Sequence, residues 1–280
     1  MHPTRQPAPL NPARPAPLVG LDGHAWVLIL ALSLLWGLSF FFNGVAVPEV
    51  GARWLVVVRV ALAAGALWLA VLVTGRPLPR SGRALGALLV MGVLNNAIPF
   101  TLIAWGQATI GAGLASILNA TTPLFGVLVA GAFLADERLT GRRVLAALVG
   151  FAGVVVMIGA DVLSGIGRDV PAQLAVLGAA LSYAFAGAWG RRFRAMGLDP
   201  VVIAAGQTTA AALVMAPVAA LGAPPPALPS AEALAAMVAL ALVSTAGAYV
   251  LYFRLLARAG AANTLLVTFL VPVWAILLGT

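Results

Sequence analysis

The sequence contains Gly111-Ala112-Gly113-Leu114 and, shortly after it, Asn119-Ala120-Thr121-Thr122-Pro123-Leu124-Phe125. Later in the chain it contains Gly260-Ala261-Ala262-Asn263 and Thr268-Phe269-Leu270-Val271-Pro272-Val273-Trp274. One constant offset of 149 residues aligns both pairs without a gap (272 − 123 = 260 − 111). The same offset aligns Ala97 with Ala246 and Phe100 with Tyr249. Self-similarity at a fixed offset indicates a duplicated structural unit.

The composition indicates that the duplicated unit lies in a membrane. Hydrophobic residues make up 62% of the chain and charged residues 9%, and the mean hydropathy is +1.05. Apolar stretches of about 18 residues or more with few charges predict membrane-spanning helices. Their continuous apolar character, rich in Ala, Leu and Gly, favours an all-α integral membrane protein over a barrel. We predict nine spans: 25–47, 54–74, 84–105, 112–135, 144–160, 171–190, 201–221, 233–253 and 261–280.

The basic residues predict the orientation of the spans. The net charge is +8, but the arginines are distributed among short loops and do not cluster on a soluble domain. With the N-terminus inside, 13 of the 16 arginines fall on the cytoplasmic side, which is the positive-inside pattern. We therefore expect a cytoplasmic N-terminus and no nucleic-acid partner.

Five spans precede the loop at 161–170 and four follow it. Because each unit has an odd number of spans, the second enters the membrane from the opposite face, which predicts an inverted pair of repeats. We predict a disordered Pro-rich cytoplasmic tail at 1–23, a first repeat of five helices at 24–160 and a second repeat of four helices at 171–280. A tenth span, the partner of 144–160, is expected to be missing, so the chain is interpreted as a fragment or a natural truncation of a ten-helix protein.

The sequence shows no catalytic constellation. All eight carboxylates fall at or near predicted span ends, and the two histidines lie in or beside the tail. With no cysteine in the chain, thiol chemistry and thiolate metal sites are excluded. We therefore expect no enzyme activity, no metal and no cofactor.

Polar residues and prolines within the spans predict a substrate cavity. A proline inside a span leaves a backbone carbonyl without its helical partner, and such backbone is tolerated at depth where neighbours or cavity water satisfy it. The alternative is that Asn and Thr join helices and Pro shapes them. For Arg59 the alternative is that its side chain extends to the outer interface, and otherwise it binds a substrate carboxylate. The predicted cavity residues are Trp36, Ser39, Arg59, Asn95, Asn96, Pro99, Asn119, Thr122, Pro123, Tyr183, Gln207, Thr245, Tyr249, Thr268, Pro272 and Trp274.

Several motifs resemble the drug/metabolite transporter superfamily, EamA type. They are Leu35-Trp36-Gly37-Leu38-Ser39-Phe40, the run Gly113–Leu118, and Thr122-Pro123-Leu124-Phe125 followed by Phe133-Leu134-Ala135-Asp136-Glu137-Arg138-Leu139-Thr140. Residues 270–275 resemble the second copy of the proline motif, whereas Asp136 stands where the family usually has Gly.

The resemblance implies a ten-helix transporter of the bacterial cell (inner) membrane that works by alternating access around a central cavity. It also implies a structural role for Glu137. We expect an exporter of amino acids or related small metabolites. Its expected partners are its small-molecule solute and the lipid bilayer, and the sequence leaves open whether it forms a homodimer. The alternatives are a non-transporting assembly or sensory protein, and a multi-span lipid-modifying enzyme.

Overall fold

The computed structural model of the chain describes residues 21–134, 140–158, 166–222, 228–264 and 266–279. These residues form helices and connecting turns, with no strand among them. Two π-helical turns, Val93–Ala97 and Leu242–Gly247, continue α2 into α3 and α9 into α10. The α-helices are α1 (Gly23–Val73), α2 (Gly82–Gly92), α3 (Ile98–Gln107), α4 (Ala112–Asn119), α5 (Thr122–Phe133), α6 (Gly141–Ile158), α7 (Val170–Ala195), α8 (Pro200–Ala220), α9 (Ala231–Ala241), α10 (Ala248–Thr264) and α11 (Leu266–Gly279).

Helix α1 is interrupted near its middle. A straight helix of 51 residues would be about 77 Å long, whereas the hydrocarbon of a bilayer is about 30 Å thick. The interruption lies at Gly51, whose φ of 71° and ψ of 156° are readily adopted only by glycine. Pro48 precedes it by three residues. The helix therefore consists of two pieces, which contain the predicted spans 25–47 and 54–74.

Six helical stretches among the described residues are long and apolar enough to cross a membrane. The integral membrane, all-helical class agrees with the prediction. The predicted spans 144–160 and 261–280 correspond to α6 and to the shorter helix α11, and the first two spans share α1. The count of nine spans and the ten-helix inverted arrangement stay predictions. The six stretches are Gly23–Val73, Gly82–Gln107, Ala112–Phe133, Val170–Ala195, Pro200–Ala220 and Ala231–Ala259.

Helix starts follow local sequence signals. Asp199 caps α8 by accepting a hydrogen bond from the amide of Val201, and Pro200 occupies the first helical position. Ser230 caps α9 through the amide of Ala233. Capping satisfies backbone donors that have no partner within the helix.

The first part of the chain, helices α1–α6, packs directly against the second part, helices α7–α11. Helix α1 contacts α8, α9 and α11, while α3 and α5 contact α7. Because lipid tails are as apolar as leucine, close packing of small residues drives helix association in a membrane. Gly37 is one such contact: a Cβ there would overlap the Cβ of Trp274 on α11. The interface between the two parts is therefore close-packed, and it contains the polar residues described next.

Candidate functional site

The two π-helical turns occupy equivalent positions in the sequence repeat. They begin at Val93 and Leu242, which are separated by the repeat offset (242 − 93 = 149). A π-helical turn widens the helix locally, and such turns are frequent at functional sites. The offset pairs Asn96 with Thr245, and Phe100 with Tyr249.

Side chains of the first turn bond to α8 and to Tyr249 on α10, two residues after the second turn. The Tyr249 hydroxyl donates to Oδ1 of Asn96 over 2.6 Å. It accepts a hydrogen bond of 3.1 Å from Nδ2 of Asn95, which also donates over 3.0 Å to Oε1 of Gln207 on α8. Asn96 and Gln207 are 0% and 1% exposed. Three helices are thereby joined through neutral polar groups in a site closed to solvent.

Arg59 joins the same group from the second piece of α1. Its Nε donates over 2.9 Å to Oγ1 of Thr245, and its guanidinium carbon lies 3.6 Å from the centroid of the Phe100 ring. Arg59 is 5% exposed, so its side chain is buried within the protein. We call Arg59, Asn95, Asn96, Gln207, Thr245 and Tyr249 the central polar cluster.

Hydroxyl groups satisfy carbonyls at both π-helical turns. Oγ of Ser182 on α7 donates over 2.7 Å to the carbonyl of Leu94, five residues before Pro99. In a π-helical pattern that carbonyl would accept from residue 99, and proline has no N–H to donate. The hydroxyl of Thr245 donates over 2.8 Å to the carbonyl of Leu240. Two buried polar atoms of the turns, Nδ2 of Asn96 and Oγ of Ser244, have no hydrogen-bond partner among the residues that the structure describes.

The predicted group around Pro123 lies at the junction of α4 and α5. The proline begins the new helix, and the Thr122 hydroxyl donates over 2.6 Å to the carbonyl of Asn119, four residues before Pro123. The freed carbonyl is thus satisfied within the same segment. Oδ1 of Asn119 is buried, and no described residue forms a hydrogen bond with it. These residues lie in a segment separate from the π-helical turns.

Of the predicted residues of the first and last spans, Trp274 lies at the contact of α1 with α11. Nε1 of Trp274 donates over 2.9 Å to Oγ of Ser33, while Pro272 is buried. Thr268 is partly buried in α11. Elsewhere on α1, the hydroxyl of Ser39 bonds to its own helix, at the carbonyl of Trp36.

Trp36 contacts the aromatic part of α10. Its ring lies 5.8 Å from that of Tyr252, centroid to centroid, and Tyr252 packs edge-on against Phe253. Tyr183 on α7 is partly buried between two apolar clusters. Glu137 lies outside the described residues.

Several bonded polar residues lay outside the predicted cavity set. Nδ2 of Asn43 donates over 3.0 Å to Oε1 of Gln107, whose Nε2 donates to the carbonyl of Phe40. Ser182, which bonds to Leu94, is a single hydroxyl in an apolar run, and sequence patterns do not separate it from packing residues. Ser244 is also outside the set, and its buried hydroxyl has no hydrogen-bond partner among the described residues. In the sequence, Ser182 is adjacent to Tyr183 and Ser244 to Thr245. This adjacency to a predicted cavity residue is the signal that could have identified the two serines.

Polar contacts also join the two parts of the chain at the helix ends. Asp22 pairs with Arg258, and Arg76 pairs with Asp199. Hydrogen bonding from Arg258, assisted by the amide of Ala25, lowers the pKa of Asp22 to about 2. Near the break in α1, the Glu49 carboxylate accepts hydrogen bonds of 2.7 Å from the amide and the hydroxyl of Ser230. Asp22 and Arg76 thus lie just outside the two ends of α1, whereas Glu49 lies near the break at Gly51.

A groove of about 290 Å³ lies between α5 and α6, lined by residues such as Leu124, Phe125, Val144 and Leu148. Its lining is apolar and suits a lipid chain or a helix better than a polar solute. Among the described residues, no group of three or more His, Cys, Asp or Glu side chains could hold a metal ion.

Comparison with known proteins identifies the family and the fold. A solved crystal structure has a TM-score of 0.69 to this chain at 23% identity, covering 92% of this chain and 88% of that one. A probable terminal-alkyne amino-acid exporter of Streptantibioticus cattleyicolor is 30% identical over 161 residues, 58% of this chain and 52% of that protein. The match therefore spans about half the length of that relative. Protein PecM of Dickeya dadantii is 28% identical over 247 residues, 88% of this chain and 80% of PecM.

The model of the EamA-like transporter family matches the chain twice, over residues 24–159 and 170–280. The two matches cover nearly the whole chain outside the N-terminal tail and one loop. The recognition based on the proline motifs is therefore confirmed, and the protein belongs to the EamA-like transporter family.

Proposed function

We propose that this transporter exports amino acids or related small metabolites by alternating access around the central polar cluster. The observation that carries the proposal is that two repeat-equivalent π-helical turns bring Asn96 and Tyr249 into one hydrogen-bonded group. A solute held there would contact both parts of the chain. In transporters built from inverted repeats, the substrate site lies near the middle of the membrane, at the interface between the repeats.

The burial of the cluster supports a mechanism that requires movement. Gln207 and Thr245 are 1% and 2% exposed, so a solute reaches them only after helices separate. In this proposal, the pairs Asp22–Arg258 and Arg76–Asp199 hold the two parts together at one side of the membrane, and the contact of Glu49 with Ser230 holds them at the other. With the N-terminus inside, the first pair of contacts would close the cytoplasmic end. Breaking the two ion pairs alone would open the cluster to one side of the membrane, and breaking the contact of Glu49 with Ser230 alone would open it to the other side.

The chemistry of the cluster favours a polar solute of low net charge. Amide, phenol and hydroxyl groups can donate and accept hydrogen bonds, and the cluster contains no acidic side chain that would hold a cation. The name of the relative from Streptantibioticus cattleyicolor supports amino acids as the solute class and outward movement as the direction. A bacterial inner-membrane location and the two inverted repeats at 24–160 and 171–280 belong to the same proposal.

Metabolite profiling tests this function. Cells that overproduce the protein are compared with an empty-vector strain, and metabolites are measured in the medium and in the cytosol. Asn95→Ala removes the bonds to Gln207 and Tyr249, whereas the matched control Asn263→Ala changes an asparagine on α10 that bonds to its own helix at Ala259.

We expect a small set of amino acids to rise in the medium with the wild type and with Asn263→Ala, but not with Asn95→Ala. If no solute moved although the protein was verified in the membrane, transport by this cluster would be contradicted. Accumulation inside the cells would contradict export.

A further inference from the structure

We infer that Arg59 binds the carboxylate of the transported solute and so selects carboxylates over the corresponding amines. The inference rests on the proposed transport function and specifies the chemistry of its site. Arg59 is the charged member of the central polar cluster. The hydrogen bonds within the protein do not explain why a charge is buried there, whereas binding of a solute carboxylate does.

Arg59 is a buried cation whose neighbours are uncharged. Its described partners are the hydroxyl of Thr245 and the face of the Phe100 ring. Among the described carboxylates, Asp22 and Asp199 pair with Arg258 and Arg76, and Glu49 bonds to Ser230. Asp169 and Glu232 lie at the starts of α7 and α9. A buried charge is strongly unfavourable without a paired anion, and ionisable residues inside membranes commonly mark substrate pathways.

The part of the guanidinium that suits a carboxylate has no acceptor within the described chain. The Nε–H of Arg59 donates to Thr245, whereas its Nη1 and Nη2 groups have no hydrogen-bond partner among the described residues. Two parallel N–H groups of arginine match the two oxygens of a carboxylate and can bond to both. The site therefore has the donor geometry for this ligand while lacking a protein group that fills it.

Two further polar atoms of the π-helical turns support a ligand at this position. Nδ2 of Asn96 and Oγ of Ser244 have no hydrogen-bond partner in the described part of the chain, and the two residues are 0% and 1% exposed. Asn96 lies in the first turn and bonds to Tyr249 on α10, and Ser244 is adjacent to Thr245, which accepts the hydrogen bond from Arg59. Buried polar atoms are normally satisfied, so unpaired ones in a buried cluster indicate a partner that binds there. A solute carboxylate could accept from both the amide and the guanidinium.

The single charge of the cluster indicates a monoanionic group. One carboxylate neutralises one guanidinium, whereas a dianionic phosphate would leave a net negative charge in a buried site. An amine without a carboxylate would place a second cation beside Arg59. The structure thus predicts discrimination between an amino acid and the amine formed by its decarboxylation.

Transport by the full chain in proteoliposomes tests the inference. Uptake of each of the twenty common amino acids, radiolabelled, is measured first. For every amino acid that is transported, the corresponding decarboxylated amine is measured as substrate and as competitor, with phenethylamine and tyramine as probes for the aromatic ones. The variants are Arg59→Gln, which removes the charge, and Arg59→Lys, which keeps it. Arg254→Gln is the matched control, because Arg254 is exposed on α10.

We expect the wild type and Arg254→Gln to prefer the amino acid over the amine. Arg59→Gln should lower amino-acid transport about 10- to 100-fold and abolish the preference, since it removes a charged hydrogen-bonding partner. Arg59→Lys should retain part of the preference.

Three outcomes would overturn the inference. One is an Arg59→Gln protein that elutes as a folded species and keeps the wild-type preference. The second is a wild type that transports amines and amino acids equally, a measurement that needs no variant; in both cases the proposed transport function survives. A wild type that transports no probe would instead contradict the proposed function, and the inference with it.

Discussion

The hydroxyl of Tyr249 donates a hydrogen bond of 2.6 Å to the side chain of Asn96, so the first π-helical turn is bonded directly to the start of α10. Asn96 lies within the first turn, and Tyr249 follows the second by two residues. The residue that corresponds to Tyr249 in the first repeat is Phe100, which contacts Arg59. One aromatic position of the repeat thus makes a hydrogen bond in one copy and a cation contact in the other.

Replacing Tyr249 with Phe should weaken the interface. The change leaves Asn96 without a partner for either polar atom of its amide, and hydrogen bonds between membrane helices contribute about 1–2 kcal/mol. The free energy of unfolding in detergent should fall by that amount. Tyr252→Phe is the matched control, because the Tyr252 hydroxyl has no hydrogen-bond partner among the described residues, and its stability should stay within about 0.5 kcal/mol of the wild type. Equal stability of the two variants would refute this role of Tyr249.

The serine that bonds to the first π-helical turn gives a second prediction. Ser182→Ala removes the donor to the Leu94 carbonyl and should lower the free energy of unfolding by about 1 kcal/mol. Ser39→Ala is a control of similar burial, since its hydroxyl bonds to a carbonyl of its own helix. Chemical unfolding of both variants checks the difference. A Ser39→Ala variant that is more destabilised than Ser182→Ala would contradict the predicted contribution of the hydrogen bond between Ser182 and Leu94.

Gly37 gives a prediction about the contact of α1 with α11. An alanine there would overlap Trp274, so we expect Gly37→Ala to lower the free energy of unfolding by about 1–3 kcal/mol. Gly44→Ala is the control on the same helix, because a Cβ at Gly44 meets no heavy atom within 4 Å. That change should be neutral or slightly stabilising, since alanine favours helix over glycine. Thermal unfolding measures both, and a stable Gly37→Ala protein would show that the helices are not in contact there.

The ion pair between Asp22 and Arg258 predicts a dependence on pH. The pKa of Asp22 is lowered from 3.8 to about 2, so its contribution to stability is complete above the unfolded value and is lost as the pH falls through the folded value. Asp22→Asn keeps a residue that can cap α1 but removes the charge. The melting temperatures of wild type and variant should differ at pH 6, converge between about pH 4 and pH 2, and differ less in high salt. A difference that persisted unchanged at pH 2 would contradict the ion pair.

The sequence repeat predicted more of the site than the composition did. The offset of 149 residues pairs the two segments that form the π-helical turns, and the cap residues Asp199 and Ser230 lie at the predicted helix starts. Gln207, Asn95 and Tyr249 were predicted as cavity residues, and the structure brings them together. Their function as a substrate site stays a prediction.

Other features depend on packing that no local pattern encodes. A π-helical turn differs from an α-helix by one residue per turn, and its sequence signature is weak. Nothing in the spacing of Trp274 predicts that its indole bonds to Ser33, more than 200 residues earlier in the chain. Likewise, Ser182 reaches the Leu94 carbonyl because α7 packs against the α2–α3 segment, which is a tertiary property.

Accessibility of Ser244 from the two sides of the membrane tests alternating access around the central polar cluster most directly. The chain has no cysteine, so Ser244→Cys is a single-cysteine protein without further changes. A membrane-impermeant thiol reagent is applied to one side of the membrane at a time, with and without the amino acid that is transported. Controls are Ser81→Cys, at an exposed position, and Ala179→Cys, in the apolar core.

The account predicts that Ser244→Cys reacts slowly from either side, that the transported amino acid slows the reaction, and that Ala179→Cys does not react. A Ser244→Cys protein that stayed unreactive from both sides, while Ser81→Cys reacted, would contradict it.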